Sequence, residues 1–203
     1  EQHIRRERAT SNICTAQVLL GVIASMYAVY HGPAGLREIA GRIHDLTKLL
    51  ARGIEVQGHS VRYTDFFDTI RVDLDGISQE IVRETAQESD INLRYYQDGS
   101  VGIALDEPTT RDDLQTLLDI FGGEDSAGLL DDLPETVESG YDGQMVRETS
   151  YLEHPVFNRY HSETEMMRYM TRLQKKDLSL TEGMIPLGSC TMKLNPTAAL
   201  MPT

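Results

Sequence analysis

The sequence predicts an α+β fold, in which helices cover a small antiparallel sheet. Residues 68–74 and 91–107 alternate apolar and polar side chains with the two-residue period of β-strands. Residues 77–88, and those that follow Thr109–Thr110, instead repeat every three to four positions as amphipathic helices do. The resulting order, strand–helix–strand–strand–helix, is that of a small α+β layer.

Two long helices are predicted before the sheet. The first, residues 13–31, has apolar side chains on nearly every side, so we expect it to lie inside a core or between two domains. Its longest apolar run, residues 16–30, is shorter than the ~20 residues that a bilayer requires.

Glycines predict where these two helices stop. Gly32 is suited to end the first helix with a positive φ, and Pro33 to open the second. We expect Gly53 to end the second helix, whose apolar side chains recur at helical spacing from Leu36 to Leu50.

The two alternating runs within residues 91–107 meet at Asp98-Gly99, a strong hairpin signal. Thr109 or Thr110 then caps the next helix, and Asp112 and Asp113 suit the dipole of its first turn. The inner face of this helix carries Leu114, Leu117, Leu118 and Phe121.

The next stretch, within residues 123–150, is rich in Asp and Glu, and we interpret it as a solvated linker rather than an acid–base site. Ser162 and Glu165 then form a capping box that opens one more helix. The apolar stripe of this helix must pack on the small domain, on another chain or on sequence that is missing. It consists of Met166, Tyr169, Met170 and Leu173.

Composition and charge limit the classes of function that are possible for this chain. The chain has 203 residues and a net charge of −13, which argues against non-specific nucleic-acid binding and against an anionic membrane surface. The two cysteines, Cys14 and Cys190, are far apart and lack CxxC spacing, which favours free thiols in a reducing compartment. A thiol switch between them is the less favoured alternative.

The chemical motifs are weak when taken one by one. His154 and His161 could be read as metal ligands, but a structural role is favoured because no third ligand is evident. Lys48 and Lys193 are the lysines to consider for Schiff-base chemistry, yet Lys48 is predicted to be solvated and nothing indicates an apolar pocket around Lys193. Cys190 has no neighbouring base in sequence, so a polar turn is the simpler interpretation.

Three longer segments are far more specific than these motifs. They read EQHIRRERATSNICTAQVLL with MYAVYHGPAGL, then YLEHPVFNRYHSETEMMRYM, and finally MIPLGSCTMKLNPTAALMP. In this order, from Glu1 to Pro202, they resemble the P-protein of the glycine cleavage system, a family of pyridoxal-phosphate-dependent glycine decarboxylases.

The resemblance implies an internal piece of a longer, fold type I pyridoxal-phosphate enzyme, spanning the junction of its two halves. Residues 1–53 would be the end of the first large domain with its connecting helices, and 54–122 the small α+β domain. Residues 123–150 would be the acidic linker, and 151–203 the N-terminal arm of the second half.

The resemblance also implies the site, the cofactor and the partners. The family's cofactor lysine lies in a histidine-lysine motif that this chain lacks, so no catalytic residue is assigned and the chain alone is expected to be inactive. The segment expected to line the entrance of the active site comprises Ser189, Cys190, Thr191, Lys193 and Asn195.

The longer enzyme would use pyridoxal phosphate as its cofactor and would act on glycine with the lipoylated H-protein. The partner of this chain would be the other half of the same protein or a second subunit, and the enzyme would be a homodimer or a two-subunit tetramer. Arg5, Arg6 and Arg8 would face the active site, face a subunit interface or only anchor the first helix. We expect a bacterial cytoplasm or a mitochondrial matrix, with no metal, nucleic acid or membrane. The alternative function is a free-standing α+β binding or regulatory module.

Overall fold

The computed structural model describes residues 16–122, 126, 128–133 and 147–176. The chain divides into two compact units, one made of Glu1–Ala34 with Ser150–Thr203 and the other of Gly35–Thr149. The elements in chain order are α1 (Ala16–Val56), β1 (Ser60–Val61), β2 (Thr69–Asp73), α2 (Gln79–Glu88), β3 (Arg94–Tyr95), β4 (Val101–Ala104), α3 (Arg111–Gly122), α4 (Leu129–Asp132), a 3-10 helix (Pro155–Asn158) and α5 (Glu163–Gln174).

The predicted break at Gly32 is confirmed as a kink within α1. Gly32 has φ 63° and ψ −176°, and Pro33 follows it directly. This backbone conformation is accessible essentially only to glycine, and Pro33 has no N–H with which to continue the helical ladder. The two predicted helices are therefore the two halves of α1.

The predicted helix end at Gly53 is wrong, because α1 continues to Val56. Gly58, with φ 94°, is the residue that terminates the helix. The N–H of Gly58 donates to the carbonyl of Glu55 (3.0 Å) and the N–H of His59 to that of Ile54 (3.2 Å), the two bonds of a Schellman motif. Gly53 is instead a packing position, where an added Cβ would lie 2.7 Å from Cδ2 of Leu118.

The sheet has four strands in the order β1-β2-β4-β3, and every neighbouring pair is antiparallel. Ile70 pairs with Ile103 and Val72 with Val101, which places apolar side chains on one face. The sequence did not predict β1, because its two residues are too few to show a period. The predicted hairpin is confirmed: Gly99 N–H donates to Tyr96 O (3.2 Å) and Tyr96 N–H to Ser100 O (3.0 Å).

The cap predicted for α3 is formed, and of the two candidate threonines it is Thr110. The hydroxyl and N–H of Thr110 both donate to Oδ2 of Asp113, at 2.7 and 2.8 Å, and Asp113 N–H donates back to Thr110 Oγ1 at 3.3 Å. This is a reciprocal capping box at the start of α3. The hydroxyl hydrogen bond from Thr110 is the largest cause of the lowered pKa of Asp113.

One hydrophobic core holds the second unit together, and it confirms the α+β class. The second half of α1, strands β2 and β4, and helices α2 and α3 all contribute to it. Leu130 and Leu133 are also buried there, so part of the stretch predicted as a linker packs on this core. The largest of its fully buried side chains are Leu50, Ile54, Ile70, Ile103, Leu114, Leu118 and Ile120.

Residues 17–25 of α1 are exposed, so the predicted burial is wrong for this part of the helix. Leu20 is 66% exposed and Ile23 is 55% exposed, and residues 17–25 are exposed without exception. A helix that is apolar on every side needs neighbours on every side, and the described residues of this chain do not provide them. By length and composition alone, the helix of residues 17–56 could span a membrane.

Helix α5 begins as predicted. Ser162 is its N-cap and accepts the N–H of Glu165 at 3.4 Å. Its predicted apolar stripe is only partly covered, because Met166 is buried while Met170 remains 43% exposed.

Candidate functional site

The predicted lining residues lie outside the part of the chain that the structure describes. This applies to Ser189, Cys190, Thr191, Lys193 and Asn195, and equally to Arg5, Arg6, Arg8 and Cys14. Their roles therefore remain predictions.

The two histidines considered as metal ligands both bind backbone groups. Nδ1 of His154 accepts the N–H of Val156 at 3.2 Å and caps the 3-10 helix. Nδ1 of His161 lies 2.6 Å from the carbonyl oxygen of Tyr30. Among the described residues, no group of three His, Cys, Asp or Glu side chains could hold a metal ion. The structural interpretation of both histidines agrees with these contacts.

The described residues give no indication that one of their lysines holds pyridoxal phosphate. Lys48 is half-buried on α1, and Lys175 and Lys176 are exposed just after α5. An open depression of about 400 Å³ is lined by Thr164, Met167, Arg168 and Thr171, and therefore by no lysine. A pyridoxal-phosphate site requires a lysine amine for its Schiff base, so no step of the chemistry is assigned to the described residues.

The best-formed polar site in the first unit surrounds the kink of α1, and we call it the arm–kink cluster: Tyr30, Gly32, Pro33, Tyr151, Phe157 and His161. The hydroxyl of Tyr151 donates to the Pro33 carbonyl at 2.7 Å. Because a carbonyl can only accept, His161 must carry its proton on Nδ1 and donate it to Tyr30. The kink at Gly32 lies between these two carbonyls, so the two side chains bind the helix backbone on either side of it.

The kink and the arm approach each other so closely that only glycine fits between them. A Cβ on Gly32 would lie 2.6 Å from the carbonyl oxygen of Phe157 and 2.8 Å from Cε1 of His161. Two of the distinctive segments, MYAVYHGPAGL and YLEHPVFNRYHSETEMMRYM, therefore meet in space. The sequence contained both segments but no local signal that they touch.

Aromatic stacking joins α5 to the residue Tyr160 that precedes it. The rings of Tyr160 and Tyr169 are stacked with centroids 4.3 Å apart and an interplanar angle of 13°. The Arg172 guanidinium donates to the Tyr160 hydroxyl and lies 5.4 Å from both ring centroids. These contacts join the second half of α5 to Tyr160, which precedes the helix.

The second unit carries an ion-pair network on the sheet face opposite its core. Asp98 Oδ2 accepts from Arg62 at 2.8 Å and from Arg71 at 2.7 Å, and Arg62 also pairs with Asp73. Asp98 Oδ1 accepts the Ser100 hydroxyl at 2.6 Å. The Arg71 guanidinium also lies 3.8 Å from the centroid of the Tyr96 ring.

The electrostatics of this network follow from those contacts. The hydrogen bond from Ser100, followed by that from Arg62, holds the pKa of Asp98 well below its usual range. Arg62 likewise lowers the pKa of Asp73. The cations of the network are satisfied by its own carboxylates, so its role is to brace the hairpin and β1. The sequence carries no local signal of this network, because Arg62 and Asp98 lie 36 positions apart.

Comparison with known proteins identifies the family. The family model of the glycine cleavage system P-protein matches residues 1–121. The chain belongs to this family. The resemblance found in the sequence is thereby confirmed.

Curated relatives match the whole chain. Glycine dehydrogenase (decarboxylating) of Thermosynechococcus vestitus is 56% identical over 204 residues, and that of Nostoc punctiforme is 55% identical over 210 residues. Glycine dehydrogenase (decarboxylating) 2 of Pseudomonas fluorescens is 53% identical over 203 residues. All three matches cover 100% of this chain, which spans only 20 to 21% of each relative's length.

Proposed function

We propose that this chain is part of a pyridoxal-phosphate-dependent glycine dehydrogenase. The longer enzyme decarboxylates glycine and transfers the aminomethyl group to the lipoyl arm of the H-protein. The observation that carries this proposal is the identity of 56% maintained over the whole chain. A free-standing regulatory module would not need to match one enzyme family without interruption.

Pyridoxal phosphate supplies the electron sink that decarboxylation requires. We assign the attachment of the cofactor to residues of the longer enzyme, because the histidine-lysine motif of the family is absent from this chain. This chain contributes framework: a fold type I small domain, residues 54–122, and an arm, residues 151–203. The segment from Ser189 to Asn195 borders the entrance of the active site and offers hydroxyl and amide donors to the ligands.

The arm–kink cluster supports the framework role. The contacts of Tyr151 and His161 with backbone carbonyls tie the start of the arm to α1. We also propose that the enzyme is located in a reducing compartment. We further propose that it is a homodimer or a two-subunit tetramer.

The first experiment is reduction of the purified chain with borohydride in the presence of pyridoxal phosphate, followed by peptide mass spectrometry. We expect no stoichiometric lysine adduct and no release of CO₂ from labelled glycine. The lysines to be inspected are Lys48, Lys175, Lys176 and Lys193. Specific labelling of Lys193 would show that a cofactor site exists within this chain and would contradict the proposed division of the enzyme.

The second experiment tests the function itself. The matching span of the Thermosynechococcus vestitus enzyme is replaced by this chain, and glycine decarboxylation is measured with lipoylated H-protein. We expect the chimera to be active and a variant lacking the span to be inactive. A soluble chimera that binds pyridoxal phosphate but does not decarboxylate glycine would refute the proposed function.

A further inference from the structure

The uncharged helix segment, residues 17–25 of α1, is exposed around its full circumference. Leu20 and Ile23 are 66% and 55% exposed, and Leu19 and Val22 are 48% exposed each. No Asp, Glu, Lys or Arg occurs from residue 16 to residue 36. A monomeric soluble protein rarely presents so continuous an apolar surface to water, so a partner is required.

The shape of this surface limits what can cover it. An amphipathic helix leaves one apolar stripe, which a flat partner or a second copy can cover. Here the exposed apolar side chains point in all directions, so only a partner that surrounds the helix removes them from water. A helix that is hydrophobic all round is the type found within the core of a large protein or in a membrane.

A bilayer fits this segment poorly. From Ala16 to the kink at Gly32 the helix is about 24 Å long at 1.5 Å per residue. The hydrocarbon core of a bilayer is about 30 Å thick, and the kink interrupts the backbone hydrogen bonds that a lipid-exposed helix needs.

The comparisons show that the relatives of this chain are much longer than the chain itself. This chain spans about one-fifth of the length of relatives that it matches at 53–56% identity. We propose that the unmatched four-fifths of the glycine dehydrogenase polypeptide packs around the uncharged helix segment and makes it an internal helix. This inference rests on the proposed function, because it requires the chain to belong to the longer enzyme.

The test measures how accessible residue 20 is to solvent. Leu20→Cys is introduced both into the isolated chain and into the Thermosynechococcus vestitus chimera, and maleimide labelling at that residue is followed by peptide mass spectrometry. Glu84→Cys, at an exposed position of α2, provides the rate of an open cysteine in the isolated chain. Leu20→Cys is a mild change because the position is exposed. The chimera unfolded in guanidinium gives the rate at which maleimide labels an unprotected residue 20.

We expect residue 20 to react in the isolated chain about as fast as residue 84. In the folded chimera residue 20 should react at least about 100-fold more slowly than in the isolated chain, because reaction then requires local opening of the protein. Equal rates in the chimera and in the isolated chain would overturn the inference. Two further outcomes would also overturn it. In the first, residue 20 of the isolated chain becomes protected from labelling as the chain concentration rises, which indicates a second copy. In the second, phosphatidylcholine vesicles protect residue 20 and the chimera does not.

The same samples separate this inference from the proposed function. A chimera that decarboxylates glycine but labels rapidly at residue 20 refutes the surrounding partner and leaves the function standing. A chimera that protects residue 20 but does not decarboxylate glycine refutes the function and leaves the packing standing.

Discussion

Replacing Gly32 with alanine should destabilise the first unit, although alanine is normally the better helix former. The reason is the backbone at Gly32, with φ 63° and ψ −176°, in a region that alanine strongly disfavours. The new Cβ would also approach the Phe157 carbonyl oxygen to 2.6 Å and the His161 ring to 2.8 Å. The arm would have to move away, and the hydrogen bond from His161 to Tyr30 would be lost.

The magnitude follows from these two effects. Strain of this kind costs about 1–3 kcal/mol. The lost hydrogen bond adds about 0.5–1.5 kcal/mol. A total of about 1.5–4.5 kcal/mol raises the population of the open arm roughly 10-fold to 1,500-fold, at about 1.4 kcal/mol for each factor of ten.

Hydrogen–deuterium exchange of peptides covering residues 151–161 measures this opening directly. The amide of Phe157, which donates to the His154 carbonyl at 3.0 Å, is a suitable reporter. Peptides from β2 and β4 serve as an internal reference in the same sample.

Gly21→Ala is the matched control, because it makes the same chemical change in the same helix. No atom lies within 4 Å of a Cβ built on Gly21, and its φ is not positive. Alanine should therefore stabilise the helix there by about 1 kcal/mol. The reasoning is refuted if Gly32→Ala leaves exchange in the arm unchanged, or if both variants shift stability in the same direction.

Three further predictions concern the second unit. Because the pKa of Asp98 is lowered in the folded state, the ionised carboxylate stabilises the fold fully above the ordinary aspartate pKa of 3.8, and this stabilisation is lost as the pH falls below that value. Asp98→Asn should therefore make the free energy of unfolding fall less steeply with pH, as measured by urea titrations from pH 6 down to about pH 2. An unchanged acid slope would exclude Asp98 as its source. Leu118→Ala should cost about 2–5 kcal/mol in urea unfolding, because the fully buried side chain leaves a cavity beside Gly53, and a loss below about 1 kcal/mol would contradict that packing. Ser78→Ala should cost about 1 kcal/mol by removing the N-cap of α2, whereas Ser78→Asp should retain most of the stability.

Much of the second unit could be predicted because its signals are local. The alternation in β2, the turn at Asp98-Gly99 and the capping box at Thr110 each depend on residues within a few positions of one another. Such patterns reflect backbone geometry and caps, so they survive in any compatible tertiary setting.

The helix end at Gly53 was mispredicted for the opposite reason. Local rules favour a stop at any glycine that follows a periodic apolar pattern. The tertiary structure uses Gly53 to let Leu118 approach α1, and gives the terminating role to Gly58.

The sequence by itself determined the family and the α+β class, because long specific segments and short periodic patterns are both written in residue order. Only the tertiary structure decided which distant residues meet: Tyr151 with Pro33, His161 with Tyr30, and Arg62 with Asp98. It also decided that the uncharged helix segment lies exposed in this chain. The physical reason is that burial and long-range contacts depend on what the rest of the molecule places around a residue, and no local pattern encodes that.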